Sequence, residues 1–341
     1  MNVNSKTKWQ NLEDEELLDL RLCDLSLSIE GTVMEQRVRR LYQELAEHGI
    51  RFKPHVWYAE EWFSPDAVPG IAIPFYLAHP RLIKLERKQM LEVEGGTDIE
   101  CMRILRHEAG HALDTAFRLH HKRRWRELFG SFTRPYPDFY KPKANSRSYV
   151  LHLDAWYAQA HPAEDFAETF AVWLTPGSRW RRQYRGWPAL RKLEYVDHLM
   201  TEIAEATPKI RLRNKVEPLS EIKVTLREHY RRKSQHYAFE WPAFYDRDLR
   251  LIFSPSPHHK SRPSAGAFLR DVGEELCQVV AEGTGVHQYT INQLLQDMIE
   301  RCRKLKLRVA TRESQAKRKA TIMLTVETMN VVHSGYYRVA V

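Results

Sequence analysis

Two histidines and a glutamate raise the first chemical question. Residues 107–111 read His-Glu-Ala-Gly-His, and on an α-helix positions i and i+4 stack on one face, about one turn apart. His107 and His111 can therefore aim imidazole nitrogens at a single metal ion. Glu108 lies where its carboxylate can reach a water on that ion rather than the ion itself. The chemistry of such a set is hydrolysis by an activated water. The competing explanation is an amphipathic helix whose two histidines are merely surface polar groups.

A third ligand decides between them. The extension His-x-x-Gly-x-x-His would need glycine at position 114 and histidine at 117, where Asp114 and Phe117 stand. The other common solution is a glutamate from a second helix, giving two histidines, one carboxylate and an open position for water. About fifty residues downstream the chain reads YAQAHPAEDFAETF, residues 157–170. Pro162 suits a first helical turn, and Glu164 and Asp165 complement the positive end of a helix. Phe166, Phe170, Trp173 and Leu174 form an apolar face, and Thr175-Pro176-Gly177 stops the segment. Glu164 and Glu168 are one turn apart, so both can face the first helix. Spacing alone leaves either as the third ligand, with His152 and His161 as fallbacks.

The pairing of HEAGHALD with YAQAHPAEDFAETFAVWL resembles the gluzincin-type zinc metallopeptidases of bacteria and is similar to the catalytic domain of anthrax lethal factor. The flanking LLDLRLCDLSL, EEWFSPDAVPGIAIPFYLAHPRLIKLER and WPALRKLEYVD resemble that bacterial family as well, so the likeness runs over roughly residues 10–250. It implies His107, His111 and Glu164 as zinc ligands, Glu108 as general base and Tyr157 as a donor to the transition state. It implies no particular substrate beyond a peptide or protein. By residue type alone, Tyr157 beside Trp156 reads equally as a buried tyrosine. Asp114, one turn past His111, and Glu168 are candidates to orient the ligand imidazoles.

The elements that must position these residues are legible in part. Gly95-Gly96 supplies a turn, and Thr97 with Glu100 makes a capping-box pattern. Ile99, Met102, Leu105, Ala109, Ala112, Leu113, Ala116 and Phe117 recur at helical spacing, so a helix over 98–119 is expected. Segment 32–48 reads as an amphipathic helix stopped by Gly49, and 187–205 as another. Residues 52–58, 70–77 and 81–87 read as strands, the last an edge strand suited to pairing with an extended peptide. Residues 131–149, rich in Pro, Ser, Tyr and Lys, read as a long loop positioned to cover a cleft.

This order predicts an α+β fold, zincin-like, with a small mixed sheet and an active-site helix over residues 1–253. SPSPHHKSRPSAG at 254–266 reads as a linker. Residues 267–341 then read as a small accessory α+β unit: helices at 267–282 and 290–306, strands at 320–332 and 335–341 joined near Gly335. Residues 221–253 show no clean period.

Composition sets the outer limits. In 341 residues, 43% are hydrophobic and 28% charged, a balance that argues against disorder. No run of 18 apolar residues spans a membrane, and the N-terminal segment has no apolar signal core, so a cytoplasmic location is the expectation. Cys23, Cys101, Cys277 and Cys302 lack C-x-x-C spacing, which disfavours a cysteine-type zinc site. The net charge of +9 allows acidic partners. Basic clusters stand at 118–126, 179–192 and 301–319, but no helix-turn-helix, RNP or zinc-finger pattern accompanies them to support nucleic acid as the partner.

Overall fold

The structure is a computed structural model that describes residues 9–137, 139–140, 142–143, 146–237, 246–333 and 339–340. It is an α+β fold dominated by helices; its named strands pair in three two-stranded sheets. The chain forms two compact units: residues 1–89, 93–229 and 339–341, and residues 90–92 with 230–338. No helix among the described residues is long and apolar enough to cross a membrane.

At the centre of the first unit lies a helix over Asp98–Phe117, here the His helix. Thr97 caps it, its hydroxyl accepting from the Glu100 amide at 3.2 Å, and Arg118 ends it in the left-handed region at φ 51°. From Ile104 to Phe117 every residue but the half-buried His111 is buried, the pattern of a helix stretch enclosed on every side rather than one with a wet face. The helix Val33–Glu47 and the strand Gly70–Pro74 pack on it. On another side lies Pro162–Leu174, the Glu helix, backed in turn by Leu190–Ile203. Strand β1, His55–Ala59, runs parallel to β2, Gly70–Pro74. Strand β3, Phe139–Tyr140, pairs antiparallel with a strand at Val339–Ala340.

Gly110 allows the two motif helices to approach. A Cβ there would stand 2.9 Å from the Ala167 Cα and 3.2 Å from the Phe170 ring, closer than packed atoms tolerate. The glycine inside the metal motif is thus a packing requirement. It brings the helix that carries Glu164 and Glu168 against the one that carries the histidines.

Two expected strands are helices. Residues 81–87 belong to a helix over Pro80–Met90, so the proposed peptide-pairing edge does not exist there. Leu82, Leu85, Glu86 and Met90 are its buried positions, at i, i+3, i+4 and i+8, and Pro80 occupies the first turn where its missing N–H costs nothing. Residues 320–332 lie in a helix over Glu313–His333. Its β-branched residues mimic a strand, yet Ala316, Ala320, Met323 and Leu324 bury at helical spacing. Thr321 and Thr325 satisfy their hydroxyls on the carbonyls four residues back, at 3.0 and 2.8 Å. Tertiary burial overrides propensity in this second helix, whereas Arg81–Arg87 consists largely of good helix formers and its helix agrees with propensity.

The second unit packs helices Ala265–Asp271, Gly273–Thr284, Gln288–Lys304 and Glu313–His333. Leu249, Ile252 and Phe253 join Leu269, Leu294, Leu295 and Leu324 in its core. The expected linker at 254–266 is therefore inside this unit. Phe253–Ser254 pairs with Arg308–Val309, and the Ser264 hydroxyl accepts from the Ala267 amide at 3.2 Å to cap a helix. Residues 221–253, which show no clean period in sequence, contain helices Leu226–His236 and Asp246–Ile252. Gly335, the expected turn between C-terminal strands, lies outside the described residues.

Candidate metal centre

Three side chains converge where the His and Glu helices meet. His107 Nε2 and His111 Nε2 are 3.1 Å apart. Glu164 Oε2 lies 3.0 Å from the first and 3.2 Å from the second. The three atoms form a nearly equilateral triangle. Tetrahedral donors about 2.0–2.1 Å from zinc stand about 3.3 Å apart, so the set fits a zinc ion with slight opening. Two neutral imidazoles and one carboxylate are also the donor chemistry zinc accepts. Among the described residues this is the group that could hold a metal.

The surroundings determine how each ligand points. His107 Nδ1 meets Glu168 Oε1 at 2.8 Å. An ionised carboxylate only accepts, so Nδ1 donates to Glu168 and Nε2 is the nitrogen turned toward Glu164 and His111. Glu168 is itself fixed, its Oε2 accepting from the Leu153 amide at 2.8 Å. Of the two glutamates, Glu164 faces both Nε2 atoms, and Glu168 stands on the far side of the His107 ring. The Asp114 carboxylate does not meet a ligand imidazole. It accepts from His120 Nδ1, while its Oδ1 has no hydrogen-bond partner in the protein.

The fallback histidines are engaged elsewhere. His152 Nε2 donates to the Arg103 carbonyl at 3.0 Å. His161 is the N-cap of the Glu helix: Nδ1 accepts from the Ala163 amide at 3.1 Å, and Nε2 donates to the Arg134 carbonyl at 2.7 Å.

Glu108 is buried beside the three donors, and its Oε2 has no hydrogen-bond partner. A buried carboxylate oxygen without a partner is costly and marks a place where a water or substrate proton belongs. Burial raises its affinity for a proton, and His107 and His111 act against that. Burial disfavours the charged Glu164 too, but His111 and His107 outweigh it and hold the carboxyl well below its ordinary range. The reverse holds for His107: burial would lower it, and Glu164 and Glu168 raise it well above its usual value.

Two tyrosines attend the site. The Tyr157 ring lies 5.7 Å from the His107 ring, centroid to centroid. Burial, with Glu164 and Glu108 nearby, keeps its phenol protonated well beyond the usual range. Trp156 before it takes left-handed backbone at φ 54°, a conformation rare for a bulky residue and typical of functional turns. Tyr136, which sequence spacing does not single out, donates to Glu164 Oε1 at 2.8 Å.

Two buried ion pairs hold the helices that carry these groups. Behind the His helix, Arg106 makes a bidentate pair with Glu44 at 2.7 and 2.8 Å. On the Glu helix, Asp165 meets Lys192 Nζ at 2.6 Å, and Lys192 also donates to the Ser148 carbonyl at 2.7 Å. Burial lifts the Asp165 carboxyl to about 7 although Lys192 opposes it. Partners this distant in sequence carry no local signature.

Residues 87–176 match the family model described as "Putative zinc-binding metallo-peptidase". The match covers about a quarter of the chain, spans both motif helices and supports a metallopeptidase assignment for that stretch. No curated protein and no solved structure matches the chain.

Proposed function

We propose that the chain is a zinc-dependent metallopeptidase of the gluzincin type, acting on a peptide or protein substrate, with His107, His111 and Glu164 as ligands. The observation that carries this reading is the triangle of donor atoms with Glu108 beside it, its Oε2 unpartnered. A purely structural zinc site needs neither an open position nor a base.

Zinc bound there would supply Lewis acidity to a water and to the scissile carbonyl. The rest falls to this chain's own side chains. Glu108 would accept a proton as the water oxygen bonds to the carbonyl carbon, then deliver it to the leaving amine as the C–N bond breaks. Tyr157, held neutral, would donate to the developing oxyanion. Glu168 keeps His107 in the tautomer whose Nε2 can ligate. Asp114, through His120, is assigned to the end of the His helix rather than to a ligand.

Metal content tests this before any substrate is known. The purified chain should hold zinc, and Glu164→Ala should lose it. Glu108→Gln should keep zinc while hydrolysis of a denatured-protein mixture falls about 10²–10⁴-fold. A wild type that takes up no zinc when supplied with it, or a Glu108→Gln variant with normal hydrolysis, would sink the reading.

A further inference from the structure

The two oxygens of Glu164 face different neighbours. Oε2 looks at the imidazoles of His107 and His111, and Oε1 accepts the Tyr136 phenol at 2.8 Å. His107, by contrast, is oriented by Glu168 from within a helix. Glu164 takes its orienting bond from a loop.

That loop is anchored at Tyr136 and at residues before it. Its ring stacks on His161 with centroids 3.8 Å apart and planes 20° from parallel. His161 donates in turn to the Arg134 carbonyl at 2.7 Å. Four residues before Tyr136, Phe132 stacks on His120, with centroids 4.0 Å apart, and His120 is fixed by Asp114 at the end of the His helix. Pro135 and Pro137 flank the tyrosine. A proline fixes its own φ and confines the residue before it to extended backbone, so little freedom remains to be lost when the phenol docks. The segment from Ser131 to Pro137 is a strap with one polar contact to a ligand carboxylate.

We propose that Tyr136 is a positioning residue, tying the 131–137 strap to Glu164 so that strap docking and metal affinity are coupled. The inference rests on the metal site of the proposed function. A carboxylate whose outer oxygen is held by a donor presents only the other oxygen to a metal and loses less freedom on ligation. Coupling of this kind is reciprocal: what tightens metal binding by docking is itself tightened when metal binds. Tyr136 reaches the metal only through Glu164.

The test uses the full chain and zinc alone. Zinc affinity is measured by competition with a chromophoric chelator for wild type, Tyr136→Phe and Tyr136→Ala. Backbone hydrogen exchange over residues 131–136 is followed with and without zinc. Tyr136→Phe keeps the ring on His161 and removes only the hydroxyl, so packing and fold are retained. It should weaken zinc about tenfold, the scale for loss of a ligand's orienting partner, and Tyr136→Ala should weaken it further. Zinc should slow exchange across the strap in wild type and lose that effect in Tyr136→Phe. Wild-type zinc affinity together with wild-type zinc-dependent protection in Tyr136→Phe would overturn the inference and leave the metal site standing. A wild type that binds no zinc would overturn the site reading itself, and this inference with it.

Discussion

The two units bury different things. Every buried charged side chain among the described residues lies in the first unit, including Glu44, Arg106, Glu108, Glu164, Asp165, Glu168 and Lys192. Among the described residues of the second unit, Thr290 and Thr328 are the side chains in the buried polar or charged class, and its core is built of aliphatic side chains with phenylalanine, methionine and cysteine. Removing a charge from water costs several kcal/mol that pairing repays only with excellent geometry, so a core built for stability alone looks like the second unit. In the first, unfavourable burial concentrates along the His and Glu helices, where two ion pairs and a carboxylate relay hold three donor atoms and one unpartnered glutamate oxygen. Buried charge here follows the chemistry, not the folding.

The largest effect that would sharpen this contrast is on Lys192. Its ammonium is the ionic partner of buried Asp165 and also fastens the Ser148 carbonyl. Lys192→Met should destabilise the protein by about 3–5 kcal/mol, because a carboxylate is left buried without its countercharge. Denaturant unfolding would measure it. A loss below about 1 kcal/mol, the range of exposed pairs, would mean that water reaches Asp165 or that its carboxyl, already lifted to about 7, takes up a proton when Lys192 is gone. A smaller effect is expected at the helix crossing. Gly110→Ala adds one methyl against the Ala167 backbone and should cost about 1–3 kcal/mol, as overpacking does. Because it forces the Glu helix outward, zinc affinity should fall with it. Stability lost with zinc affinity unchanged would separate helix packing from ligand placement.

The sequence exposes the helical half of the site and conceals the rest for definite reasons. His107, Glu108 and His111 follow from the helical repeat, and Thr97 and Pro162 announce where the two helices begin. Those signals are local. Arg106–Glu44 and Asp165–Lys192 join residues far apart in the chain, and Tyr136 sits in a Pro-rich segment with no period to betray its direction. The errors in fold share a cause too. Leu82-Ile83 with Leu85, and Thr321 to Val326, are short runs in which alternation and helical spacing coincide, and only the tertiary surroundings separate them. The expected linker misled because Ser, Pro and His dominate 254–266, although Ser254 and Ser264 spend their polar groups inside the second unit on a strand pair and a helix cap.

The smallest effect is the control for the contrast. Lys317 of the second unit pairs with Glu275 on the surface, where water solvates both groups and side-chain freedom offsets the attraction. Lys317→Met should therefore change stability by no more than about 0.5 kcal/mol, in the same denaturation assay as Lys192→Met. It should leave zinc affinity untouched, because Lys317 is no part of the donor cluster. A loss near that of Lys192→Met would show that ionic contacts stabilise the second unit as strongly as the first. Its apolar core would then no longer be a sufficient account of its stability, and the division of labour between the units would fail.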